Sequence, residues 1–229
     1  MDKAVTFYTL IVTIGAYTGS LFLNKRVSSP FTHPVFVSTL VIIGVLVSSN
    51  VHYKEYEGTK EMLGFFLGPA TVGIAVPLYQ NRAILFRNII PSIAGIMAGS
   101  IVSITATILM LKGLHLSSEV IRSLSLKTIT TPMAVEVAPI IHGNAILTAI
   151  FVVVTGMLGA MTGPWVMNKM GIYDPLSRGL ALGVQAHGIG TAQAALEGRL
   201  QAAIAGVAMG INGIFVSVLA PVIIPWITK

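Results

Sequence analysis

Cysteine is absent from the 229 residues, so the chain holds neither a disulfide nor a thiolate metal site. Charge is scarce as well. Asp, Glu, Lys and Arg make up 10% of the chain, where a soluble domain carries about 25%. Hydrophobic residues make up 54%, 23 glycines come on top of that, and the mean hydropathy is +0.85. So few charges cannot cover the surface of a soluble domain of this size. A soluble enzyme, a disordered chain and a disulfide scaffold are excluded, which leaves an integral membrane protein. No basic cluster is longer than Lys25-Arg26. The net charge of +6 therefore belongs with anionic headgroups and topology, and no nucleic-acid partner is expected. His33, His52, His115, His142 and His187 show no H-E-x-x-H or related spacing. The expectation is a protein that is not an enzyme, with no metal site and no cofactor.

The remaining charges fall at joints. Residues 4–24, 27–53, 62–81, 88–111, 137–168, 179–196 and 200–228 carry none. A helix needs about 20 apolar residues to cross some 30 Å of hydrocarbon. Hydrophobic segments are expected near 4–23, 34–51, 62–79, 89–111, 120–141, 144–167, 179–196 and 202–227, about eight in all. The first is read as a retained span and not a signal peptide, because its core is long and no small-x-small site follows. Successive loops receive similar numbers of Lys and Arg, so charge does not fix the orientation. In residues 114–126, Leu116, Val120 and Leu124 share one helical face opposite Ser118, Glu119 and Arg122. That pattern suits an interfacial helix, the first turns of a span, or a plain connector. Gly15/Gly19, Gly95/Gly99, Gly159/Gly163 and Gly206/Gly210 are spaced for close helix approach.

Three segments make poor membrane helices. Phe65–Tyr79 holds Gly68, Pro69, Gly73 and Pro77, and proline removes a backbone donor that lipid cannot replace. An ordinary kink and a re-entrant helix lining a site both remain open there. Thr128–Pro139 repeats the theme with Pro132 and Pro139. Within it, Glu136 is the acid deepest in an apolar run, a place where carboxylates pair or function. Gly183–Ala194 brings together Gln185, His187, Gly188, Gly190, Thr191 and Gln193 without a charge. Gly68, Pro69, Pro77, Pro132, Pro139, Gly188 and Gly190 are the expected helix breaks. Half-helix N-termini at such breaks attract anions. Thr71, Thr130, Thr131, Gln185, His187, Thr191 and Asn212 supply neutral donors for substrate, and Glu136 or His187 is the expected proton-coupling group. No arginine lies deep in a span, so a single carboxylate fits better than a multiply charged anion.

These residues resemble a known family. Gly68-Pro69-Ala70-Thr71-Val72 through Ala75-Val76-Pro77-Leu78-Tyr79, then Thr130-Thr131-Pro132-Met133-Ala134-Val135-Glu136, then Ala186-His187-Gly188-Ile189-Gly190-Thr191-Ala192 are similar to the LrgB/CidB family, in the family's order. Length and hydropathy agree along nearly the whole chain. The resemblance implies one LrgB-like transmembrane domain over 1–229, with approximate halves 1–111 and 114–229. It implies an all-α polytopic fold with broken or re-entrant segments and an inverted repeat of the cation–proton antiporter and bile-acid transporter type. It further implies a multi-pass protein of the bacterial cell membrane, a homo-oligomer such as a dimer, and a small LrgA/CidA-type membrane partner. The family is described as holin-like or antiholin-like and is linked to murein hydrolases and autolysis. Plastid relatives exchange glycolate and glycerate, and some bacterial relatives are tied to pyruvate movement.

Two functions follow. One is a secondary carrier of small monocarboxylates, which the broken segments and their polar cluster favour. The other is a holin-like pore or a regulator of lysis, which the family description favours. A simple pore needs a polar stripe along its helices, whereas polarity here is gathered at the breaks.

Overall fold

The computed structural model describes residues 3–27, 29–80 and 82–228, without the side chains of residues 67, 70, 71, 74, 75, 77 and 78. Thr71 and Pro77 therefore lie outside the described side chains. Every regular element among the described residues is helical: α1 (Lys3–Arg26), a 3-10 turn (Pro30–Thr32), α2 (Pro34–Ser48), α3 (Tyr53–Phe65), α4 (Leu67–Gln80), α5 (Arg82–Arg87), α6 (Ile89–Gly113), α7 (Ser118–Ser125), α8 (Thr131–Ile140), α9 (Ala145–Lys169), α10 (Pro175–Glu197) and α11 (Arg199–Ile227). Among them, α1, α6, α9 and α11 are long and apolar enough to cross a bilayer.

The chain divides into two compact units, Met1–Ala75 and Val76–Lys229. In the first, hydroxyls join α3 to α1. Thr9 and Thr59 share a 2.6 Å hydrogen bond, and Thr13 meets Tyr56 at 3.0 Å. Such bonds let helices associate without exposing a polar group to lipid. The segment expected at 62–79 is interrupted at Phe66, between α3 and α4 and two residues ahead of Gly68, and α4 then runs on through Gly68 and Pro69.

In the second unit the segment expected at 120–141 is a helical hairpin. Helix α7 runs in, Leu126–Thr130 turn, and α8 runs back. Asn144, just past α8, donates its side-chain amide to Glu119 Oε1 at 3.1 Å, and its backbone N–H bonds Ser123 Oγ at 2.8 Å. The two ends of the segment are thus side by side. Pro132 opens α8, where the missing N–H has no helical partner to lose. Pro139 sits inside α8 without breaking it, and the helix ends in a turn with Gly143 N–H on the Ala138 carbonyl at 2.8 Å. His142 takes the left-handed conformation at that turn, as His115 does after α6. Those two histidines are therefore helix terminators.

Helix α10 is a second hairpin. Its limbs, 175–186 and 188–197, meet at His187, whose φ of 41° and ψ of −125° are not helical. An unbroken helix would separate Arg178 from Glu197 by about 28 Å. Instead the two form a bidentate ion pair at 2.6 and 2.8 Å. Gly190 lies so close to Leu182 that a Cβ would sit 2.1 Å from its carbonyl oxygen. The break falls on the histidine, and the flanking Gly188 and Gly190 accommodate it. At the base of this hairpin Asp174 caps the first limb. The backbone and hydroxyl hydrogen bonds of Ser177 hold its carboxyl below the usual carboxylate range.

The hairpins enter from opposite ends. The base of the first lies by the start of α9 and the end of α11, where Arg122 Nε donates to Thr228 Oγ1 at 2.9 Å. The base of the second lies by the end of α9, where Arg178 donates to Asn168 Oδ1 at 2.8 Å. A large core of Ile104, Ile108, Ile121, Leu126, Ile129, Val152, Val216 and Ile224 packs the first hairpin between α6, α9 and α11. Met167, Leu182, Ala194 and Ala205 pack the second.

Small residues set how closely α10 approaches. A Cβ on Gly183 would fall 2.3 Å from the Ala205 carbonyl oxygen, and one on Gly159 would fall 2.9 Å from Ala186 Cβ. Of the glycine pairs picked out by spacing, Gly159/Gly163 meets α10, while Gly15, Gly19, Gly95 and Gly210 face open space. The pair Gly179/Gly183 makes the closest approach to α11. Gly183→Ala is expected to lower the stability of the solubilised protein by about 2 kcal/mol or more, since the clash is with backbone. Gly210→Ala should leave it unchanged, and thermal unfolding in detergent reads both.

Candidate functional site

Asn212 lies at the middle of α11 and is fully buried. Its amide donates to the Thr128 carbonyl in the turn of the first hairpin at 2.8 Å, and to the Val184 carbonyl near the tip of the second at 3.3 Å. Its oxygen accepts from Ser100 Oγ, halfway along α6. Both carbonyls stand where helices break, so neither has a full helical complement of donors. One side chain therefore clasps the two tips to a continuous helix. Asn212 was expected among the substrate donors; all its bonds described here are to protein.

His187 is pinned separately. Its ring packs on Gly156, where a Cβ would meet the ring at 2.6 Å, and Nε2 lies 3.0 Å from the Val152 carbonyl of α9. Thr191 Oγ1 donates to the His187 carbonyl at 2.9 Å. A non-glycine residue in this backbone region stores about 1–3 kcal/mol of strain, and these contacts hold it there. His187 and Thr191 are both buried and serve the tip itself. Thr130 caps α8 through its backbone, without a side-chain cap bond, and Thr131 begins the helix.

Beside the tips is a cavity of about 480 Å³ between α9 and the first limb of α10. Lys127, Thr155, Thr162, Gln185 and the apolar side chains of Leu158 and Met167 are among its lining residues. Such a volume suits a small organic ligand. Of the described residues expected to contact substrate, Gln185 alone lines it. Lys127, in the turn of the first hairpin, also lines the cavity and was not singled out from the sequence. Its ammonium donates to Thr107 Oγ1 at 2.6 Å and Ser103 Oγ at 3.1 Å, both on α6. The signal available in the sequence was a lysine one residue before Thr128, in the same segment as the prolines.

Glu136 is exposed on α8 and is not part of the cavity lining. The expected proton-coupling group thus lies on the exposed side of α8 and outside the residues that line the cavity. Among the described residues no cluster of His, Asp and Glu is arranged to hold a metal ion.

Asn212→Ala would leave two buried carbonyls and the Ser100 hydroxyl without their partner. A loss of about 1–3 kcal/mol is expected, read as a lowered unfolding temperature in detergent, with Ser100→Ala costing less.

The model of the LrgB-like family matches residues 13–226. The chain is 34% identical to the uncharacterized protein YwbG of Bacillus subtilis (strain 168), over 93% of this chain and 95% of that one. It is 32% identical to the antiholin-like protein LrgB of the same organism, over 95% of each chain. A third relative there, the uncharacterized protein YxaC, is 28% identical over 97% of each. No solved structure matches.

Proposed function

Because the chain belongs to the LrgB-like family, we propose that it is a secondary carrier of small monocarboxylates in the bacterial cell membrane, and that any effect on cell lysis is indirect. The observation that carries this reading is the meeting of two hairpin tips from opposite ends, clasped by Asn212 beside a cavity containing one lysine. Broken helices that meet at the middle of a bundle are how carriers expose backbone to a solute while shielding it from lipid. A site between two oppositely directed hairpins can open to either side by rocking one against the other. A membrane-wide pore would instead need polar residues along whole helices. Helices α9 and α11 carry few, apart from the groups tied to the tips.

The proposed repeat pairs α6 and the first hairpin with α9 and the second. Each half then contains one crossing and one re-entrant hairpin. A single crossing per half inverts the second relative to the first, which two full spans could not do. On this reading the protein is multi-pass, works as a homodimer, and operates beside a small LrgA/CidA-type membrane protein. It is not an enzyme.

The alternative is the antiholin-like activity that the relatives' names carry. Purified protein in liposomes separates the two. Uptake of labelled pyruvate, glycolate or glycerate should saturate, with and without a pH gradient, while an enclosed dye stays inside. Release of the dye at the same protein density would overturn the carrier reading in favour of a pore.

A further inference from the structure

We propose that Lys127 fixes the carboxylate of the substrate, and that the cavity before it takes one small monoanion. The proposal deepens the carrier reading of the same site and rests on it for the kind of solute. Lys127 is the one charged group in the cavity lining. Two of its ammonium protons go to Ser103 and Thr107. No described residue accepts the third.

The cation also lacks a counter-charge. The second unit holds four acids: Glu119, Glu136, Asp174 and Glu197. Glu197 is paired with Arg178, Glu119 accepts from Asn144, Asp174 caps α10, and Glu136 stands exposed without an ion pair among the described residues. A part-buried ammonium that is held in place but lacks a carboxylate is the complement of a ligand that brings one. The Ser103 and Thr107 hydroxyls fix its direction, so little side-chain freedom is lost on binding.

The rest of the lining decides what else the ligand can be. Gln185 offers amide donors and an acceptor. Thr155 offers a hydroxyl, and Thr162 can accept, because its proton already goes to the Leu158 carbonyl. These suit a hydroxyl or keto oxygen next to the carboxylate. Leu158, Val166, Met167 and Leu182 line the remainder with apolar surface, Leu158 and Val166 on its open side. A second carboxylate on the ligand would meet no second cation there and would lie against apolar side chains, so a monoanion is preferred to a dianion. Since Lys127 belongs to the turn of the first hairpin and Gln185 to the limb of the second, the ligand bridges both.

The test is calorimetric titration of the purified full-length protein with pyruvate, malonate and pyruvamide, run beside liposome uptake of pyruvate. The wild type is expected to bind pyruvate saturably and the other two at least tenfold more weakly. Lys127→Gln should weaken pyruvate binding about 30-fold or more, the loss of a charge-assisted bond. Lys127→Arg should retain part of it, and Glu136→Gln should match the wild type. Should Lys127→Gln fail to fold, the wall variants Gln185→Leu on α10 and Thr155→Val on α9 should each weaken binding several-fold.

Pyruvate binding unchanged in Lys127→Gln, or in both wall variants, would overturn the proposal, as would malonate binding as tightly as pyruvate or a wild type that binds none of the three. Binding that depends on Lys127 without any uptake would uphold this assignment and overturn the carrier. Uptake with an unchanged KM in Lys127→Gln would do the reverse.

Discussion

The amide of Asn212 holds the second unit together at the point where its helices are broken. A bilayer offers no water to a freed carbonyl, and each unsatisfied group costs several kcal/mol there. The turn of the first hairpin and the tip of the second both leave such carbonyls. Asn212 donates to one from each and accepts from Ser100 on α6. A side chain with two donors and one acceptor oxygen can tie three elements in this way; a hydroxyl cannot.

Everything else in the unit is arranged so that these groups can reach one another. Gly179 and Gly183 bring α10 against α11, and Gly156 and Gly159 bring it against α9. The ring of His187 then rests on α9 with its nitrogen at the Val152 carbonyl, and the strained tip is held open. The ion pair of Arg178 and Glu197 closes the hairpin at its base. An ion pair at the base and an amide at the tip leave a hairpin whose two ends are fixed by different chemistry. In the proposed carrier, the base acts as the hinge and the tip as the gate.

Much of this architecture was legible. The four long apolar helices followed from where charges stop and resume, because a lipid-exposed charge is costly wherever it falls, whereas the charged helix α3 did not. The three unusual segments were recognisable from proline, glycine and buried amides. The roles of individual residues were less so. Gly188 and Gly190 drew attention as breakers, yet the break sits on His187, which the sequence gives no reason to place at a positive φ. Asn212 read as a candidate ligand, and the structure shows it bonded to both hairpin tips and to Ser100. Glu136 read as a buried acid and is exposed. Lys127 was not singled out from the sequence. It lies against the middle of α6 because the chain turns back there.

Sequence alone determined the class of the protein, its family and the places of its four long apolar helices, since these rest on local composition and on motifs contiguous in the chain. The direction of the second limb of each hairpin was a tertiary decision. A run of apolar and small residues with two breakers has the same local energetics whether it continues across the bilayer or returns. The choice depends on partners far along the chain: Glu197 for Arg178, Asn144 for Glu119, and Asn212 for Thr128 and Val184. Only when those pairs form do Lys127 and Gln185, which are 58 positions apart in the chain, face one cavity.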